Sequence, residues 1–161
     1  MQISEIPIQQ NAADIEPKDT EDGVGTTVRR WFAGWSPGDA PWNGEAFRGV
    51  FKPGTGAVQI VDDMGGEVVT LDSVDAYIET WTPFMAPFKH WAIAPIGPVR
   101  AHVADDLAVV TFTFEVDGKD AEGRPLLPKP GQHGTLVLQH TTDGWRVIRE
   151  HLTTIAQPPG D

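Results

Sequence analysis

The final third of the chain constrains the fold most. Gly131-Gln132-His133-Gly134 leads into Thr135-Leu136-Val137-Leu138-Gln139-His140, a turn follows at Thr141-Thr142-Asp143-Gly144, and Trp145-Arg146-Val147-Ile148-Arg149-Glu150-His151-Leu152-Thr153 comes next. Two β-rich runs joined through Asp143-Gly144 predict a hairpin, because glycine accepts the positive φ that such turns require. Simple alternation puts Trp145, Val147, Arg149, His151 and Thr153 on one face. A face that begins with Trp and Val and ends with Arg and His is apolar within and polar at its mouth, as a pocket wall is.

Upstream, Val28, Trp31, Phe32 and Trp35 recur at helical spacing and predict a helix over 25–35 with Thr26 or Thr27 as its cap. A short second helix over 44–51, opened by Trp42 or Asn43, carries Phe47, Val50 and Phe51. Two short β-rich runs, 57–61 and 67–71, flank a polar turn. A third helix, capped by Asp72 or Ser73, carries Tyr77, Ile78, Trp81, Phe84 and Met85, with Pro83 bending or ending it. Strands are expected over 91–96, 99–103 and 108–116, with Asp105-Asp106 as a turn and 117–131 as a long polar loop. Three helices followed by an antiparallel meander predict an α+β fold, the helices lying on the concave face of a curved sheet.

At 161 residues the chain suits one domain with a sizeable core. Residues 1–22 stand apart: Glu5, Asp14, Glu16, Asp19, Glu21 and Asp22 face a single Lys18, which predicts a mobile or loosely docked acidic arm. Ile3, Ile6 and Ile8 could lie across a groove. A net charge of −11 with twelve scattered Lys and Arg argues against nucleic acid as a partner. The absence of cysteine removes disulfides, thiolate catalysis and Cys-ligated metals. No histidine pair has metal-ligand spacing, and Gly23-x-Gly25 and Gly54-x-Gly56 read as turns rather than phosphate loops, so neither a metal nor a cofactor is expected. The N-terminus lacks the pattern of a signal peptide, and no apolar run approaches the ~20 residues of a membrane helix. A cytoplasmic protein without a membrane partner is the expectation.

The order of elements, together with Arg30-Trp31-Phe32-Ala33-Gly34-Trp35-Ser36-Pro37-Gly38-Asp39, Leu107-Ala108-Val109-Val110-Thr111 and Gly144-Trp145-Arg146-Val147-Ile148-Arg149-Glu150-His151, resembles the SnoaL-like and ketosteroid-isomerase-like proteins of the nuclear-transport-factor-2-like superfamily. The resemblance covers about residues 24–155, within a SnoaL-like domain expected over 23–157. It implies a cone-shaped α+β barrel with one deep apolar pocket, often in a homodimer formed through the outer sheet face. Functions on this fold range from isomerisation, cyclisation and dehydration to plain association, so the site must decide. In ketosteroid isomerases an Asp base follows the first strand in an Asp-Pro-Val-Gly-like turn, and Asp62-Asp63-Met64-Gly65 is similar. Trp31 stands where that family has a Tyr, and Leu136 where it has a protonated Asp. Trp31 can donate one hydrogen bond but Leu136 none, and one lost oxyanion donor costs about 3 kcal/mol, so steroid isomerisation by that route is not expected.

Asp62 has two readings: a solvated turn residue, or a base at the pocket mouth with a raised pKa. His151 is either an acid–base group or a satisfied structural residue, and Arg149 binds a carboxylate or enolate or pairs with a surface acid. Catalysis, if present, is expected from Asp62 or His151 as base, with Arg149 or Trp91 steadying developing charge. Trp31, Tyr77, Trp81, Met85, Trp91 and Leu136 are the expected ligand-binding residues, the alternative being a closed aromatic core. The resulting expectation is a pocket protein for a small hydrophobic molecule, a cofactor-free isomerase, cyclase or dehydratase acting on a carbonyl compound such as a polyketide. The alternative is a non-catalytic ligand-binding or dimeric association module.

Overall fold

The computed structural model describes residues 2–8, 23–125 and 131–155. Among them the chain runs β1 (Gln2–Glu5), α1 (Val24–Gly34), a 3₁₀ helix (Gly44–Gly49), β2 (Gln59–Asp62), β3 (Val69–Leu71), α2 (Val74–Met85), β4 (His90–Pro95), β5 (Arg100–Ala104), β6 (Leu107–Lys119), β7 (Gly131–Thr141) and β8 (Gly144–Thr154). The strands form one curved, unclosed sheet ordered β1-β5-β6-β7-β8-β2-β3, with β4 pairing the far half of β6. Every pairing is antiparallel except β2 with β8, where the first hairpin returns beside the last strand. The α+β cone expected from the sequence is the observed fold.

Local chemistry places the helices. Ser73 Oγ accepts from the Ala76 N–H at 3.1 Å and starts α2, while the Asn43 side chain accepts from the Glu45 N–H at 3.1 Å and starts the 3₁₀ helix. Pro83 lies in the last turn of α2 and does not stop it short of Met85. α1 begins earlier than Thr26 or Thr27 would have it. Gly23, at φ +63°, is its cap, and Thr27 Oγ1 instead donates to the Trp145 carbonyl at 2.8 Å, tying the helix to β8. Val28, Trp31, Phe32 and Tyr77 are all buried, as predicted. Trp31 packs on Phe112 and Phe114 of β6, with ring centroids 5.2 and 6.0 Å away, so α1 covers the inner face of the sheet.

The first residues do not stand apart from the domain. β1 pairs with β5 from Gln2–Val103 to Glu5–Arg100, the Ile6 N–H donates to the Val99 carbonyl at 2.8 Å, and Ile6 is buried. A ladder and one apolar anchor outweigh the local charge over residues 2–8. The rest of the predicted acidic arm lies outside the described residues.

One irregularity decides what the sheet presents to the interior. In the β7–β8 ladder Leu138 pairs with Val147 but Val137 pairs with Arg149, so Ile148 is an extra residue. Such a bulge inverts the inward and outward parity of everything beyond it. Val147 is buried, then Glu150 and Leu152 are buried, while Arg149, His151 and Thr153 are exposed. The pocket wall read from unbroken alternation is therefore corrected: Arg149 and His151 lie on the outer face, opposite Val137 and Thr135. The apolar stripe Val110, Phe112 and Phe114 faces inward, leaving Thr111 and Glu115 exposed.

Gly134 shows how tightly the inner face is filled. It pairs with Phe112 on one side and Leu152 on the other, and a Cβ there would sit 2.4 Å from the Phe112 ring and 2.8 Å from Leu152 Cδ2. Gly134→Ala should destabilise the fold by about 1–3 kcal/mol through overpacking alone. Denaturant titration reads this as a lower midpoint with an unchanged slope.

Candidate active site

Asp62 ends β2 on the inner face, only 3 % exposed. Its Oδ1 accepts from the Gln132 side-chain amide at 3.0 Å and from the Met64 N–H at 2.9 Å, and the Asp63 N–H also favours the charged carboxyl. Two donors on one oxygen fix the orientation of the carboxyl. Burial pushes the Asp62 carboxyl up to about 6, against the hydrogen bonds of Gln132 and Met64, which favour the charged form. A group that titrates there is ionised at neutrality yet retains basicity.

Next to Asp62 lies a cavity of about 20 Å³, room for about one water, walled mainly by Trp31, Trp35, Trp81, Phe84, Trp91 and Phe114. Gln132 also lines it, so the residue that orients Asp62 is itself part of the wall. Met64 and Phe84, both half-buried, are its least covered lining.

Behind that wall sits a second carboxyl. Glu150 is fully buried, and its Oε1 accepts from Trp31 Nε1 at 2.7 Å and from the Tyr77 hydroxyl at 3.0 Å. The Tyr77 oxygen in turn accepts from Trp35 Nε1 at 2.8 Å. Thus two of the cavity's tryptophans are locked in place by one chain of bonds running from α1 through α2 to β8. Burial pushes Glu150 up to about 8, the charge of Asp62 adds to this, and the bonds from Trp31 and Tyr77 oppose it. Burial therefore favours the protonated form of Glu150 near neutral pH and likewise holds Tyr77 well above its ordinary range. The two acids are diagonal neighbours on adjacent strands, since Ile60 pairs with Glu150 and Asp62 with Leu152.

Of the residues expected from the sequence, Asp62, Trp31, Trp81 and Trp91 come together at the cavity. Tyr77 and Leu136 do not line it: both are fully buried, the first bonded to Glu150 and the second paired opposite it. Met85 lines a separate surface cleft with Trp42 and Phe88. Arg149 and His151 are on the other side of the sheet, for the reason of parity given above. Gln132 and Glu150 went unread as site residues. The one sequence signal for Glu150 is spacing: Val147 and Leu152 are five residues apart, so the strand can bury both only if a bulge lies between them. Among the described residues no three His, Asp or Glu side chains group as a metal site, and no helix is long and apolar enough to cross a membrane.

A curved sheet wrapped on helices is the fold this chain shares with solved nuclear-transport-factor-2-like structures. The chain belongs to the SnoaL-like domain family, whose pattern matches residues 57–157. It is similar in fold to a nuclear transport factor 2-like protein from Salmonella enterica, with 13 % identity, a TM-score of 0.70 and coverage of 91 % of this chain and 99 % of that one. A protein from Streptomyces avermitilis proposed to be a dehydratase is similar at 20 % identity and a TM-score of 0.64, over 88 % of this chain and all of its own. A Shewanella frigidimarina protein proposed to be a ketosteroid isomerase is similar at 23 % identity and a TM-score of 0.61, over 81 % and 94 %. At such identities these likenesses establish the fold alone. No curated protein matches the sequence.

Proposed function

We propose that the protein binds a small hydrophobic carbonyl compound and moves a proton on it without a cofactor, as an isomerase, cyclase or dehydratase. The observation that carries this reading is Asp62: a carboxyl buried beside an aromatic cavity and oriented by the Gln132 amide and the Met64 N–H. Asp62 is the base. The C–H bond next to the carbonyl breaks, its proton passes to the Asp62 carboxylate, the electron pair moves to the carbonyl oxygen, and the proton returns to carbon as the product forms. His151 and Arg149, exposed on the outer face, take no part.

The test uses 2-tetralone, a flat ketone with acidic α-protons, in deuterated buffer. Wild-type protein should speed α-proton exchange well above the buffer rate, as followed by proton NMR. Exchange at the buffer rate would overturn the reading. The small cavity favours a second reading, a non-catalytic ligand-binding or association module, which would return a bound ligand unexchanged.

A homodimer belongs to the same proposal. Its surface would be the outer sheet face, where Leu107 and Val109 are exposed beside Thr111. Light scattering should give twice the chain mass at micromolar concentration, and a monomer there would remove the dimer.

A further inference from the structure

The cavity's four tryptophans fall into two pairs. Trp31 and Trp35 have their indole N–H groups taken by Glu150 and Tyr77. Trp81 and Trp91, each 3 % exposed, have buried indole nitrogens with no hydrogen-bond partner. A buried donor without an acceptor costs about 1–3 kcal/mol, and folded proteins carry few. Two of them lining one cavity beside the Asp62 carboxyl ask for an acceptor that the described residues do not supply.

A Cβ added at Gly118 would lie 2.8 and 2.9 Å from Cε3 and Cζ3 of Trp91, so the six-membered ring of that indole packs over the glycine of β6. Trp81 meets Phe84 edge to face at 5.2 Å, and Phe84 meets Trp91 the same way at 6.2 Å, so one phenyl ring separates the two indoles. A third unpartnered indole, Trp42, belongs to the separate cleft with Met85.

We propose that the Trp81 and Trp91 indole N–H groups form a cradle for the carbonyl oxygen of a neutral, flat, ring-containing ketone. The charge of the lining sets the neutrality: among the described residues no Lys or Arg lines the cavity, and Asp62 does, so a carboxylate or phosphate would be buried beside an acid without a counter-ion. The aromatic wall sets the flatness. The cavity holds about one water, so a bicyclic ligand needs Phe84 and Met64, its least covered lining, to move aside. The inference deepens the proton-transfer reading by naming what opposes Asp62, and it rests on that reading for the chemistry but not for the binding.

The experiment compares 2-tetralone with tetralin, the same bicycle without oxygen. In ¹⁵N–¹H spectra two indole resonances should move downfield with 2-tetralone and neither with tetralin, and Trp81→Phe and Trp91→Phe should each remove one of the two. By calorimetry the wild type should prefer 2-tetralone by roughly tenfold or more, each single variant losing roughly threefold to tenfold of that preference. Unmoved indole resonances, an undiminished preference in folded variants, or a wild type that binds neither compound would each overturn the cradle. Asp62→Asn separates the two readings, because it should keep the preference for oxygen while losing exchange. A wild type with that preference but no catalysed exchange refutes the base and leaves the cradle standing, and exchange with unmoved indoles does the reverse.

Discussion

Asp62→Asn should lower catalysed α-proton exchange on 2-tetralone by two to four orders of magnitude, the usual cost of losing a positioned base. The substitution keeps an acceptor for Gln132 and the Met64 N–H, so the fold should survive. The pH profile adds a second, independent signature. Asp62 must be ionised to accept a proton, so activity should rise through about 6. Above about 8 Glu150 also ionises and sets a second negative charge near the one that develops on the substrate, so activity should fall. A bell with limbs near these values belongs to the coupled pair rather than to either acid alone. Glu150→Gln should remove the upper limb and leave the lower one, and a profile flat from 5 to 9 would contradict both assignments.

The largest expected effect on stability comes from the same buried acid. Glu150 and Asp62 both have folded-state pKa values above their unfolded ones, so across the interval between the two the folded state binds more protons. Stability is then fully present below the ordinary carboxyl range and is lost as pH rises through about 6 and then about 8. For Glu150 the loss is on the order of 5 kcal/mol. Glu150→Gln keeps an acceptor for Trp31 and Tyr77 but cannot ionise. Its melting temperature should match the wild type near pH 5 and exceed it by about 10 °C or more at pH 9. Differential scanning calorimetry at the two pH values decides this; a wild type equally stable at both would mean that Glu150 is not sealed in the core.

The fold was legible because its signals are local. The hairpin, whose two-residue turn is Thr142-Asp143 with Gly144 opening β8, the caps Ser73 and Asn43 that were each one of two candidates, and the apolar spacing of Val28, Trp31 and Phe32 each act within a few residues. Asp62 was legible as a candidate through its turn. What failed was counting along β8: Ile148 has no mark of a bulge in its own chemistry, and only its neighbours' spacing betrays it. That single residue exchanges Arg149 and His151 for Glu150 on the inner face. Gln132 was hidden differently, since its role comes from the diagonal placement of β7 residues over β2 across β8, which no local pattern encodes. The docking of β1 was missed because composition speaks for the whole acidic segment, whereas pairing with β5 concerns only its first few residues.

All of the proposed chemistry depends on where the Asp62 carboxyl resides, and its own titration tests this most directly. In protein labelled with ¹³C at the aspartate carboxyls, with Asp62→Asn to assign the resonance, the Asp62 signal should titrate with a midpoint near 6, two pH units above a solvated turn residue. A midpoint near 4 would mean that Asp62 is an ordinary turn carboxylate open to water, and would contradict the account of a buried base facing an aromatic cavity.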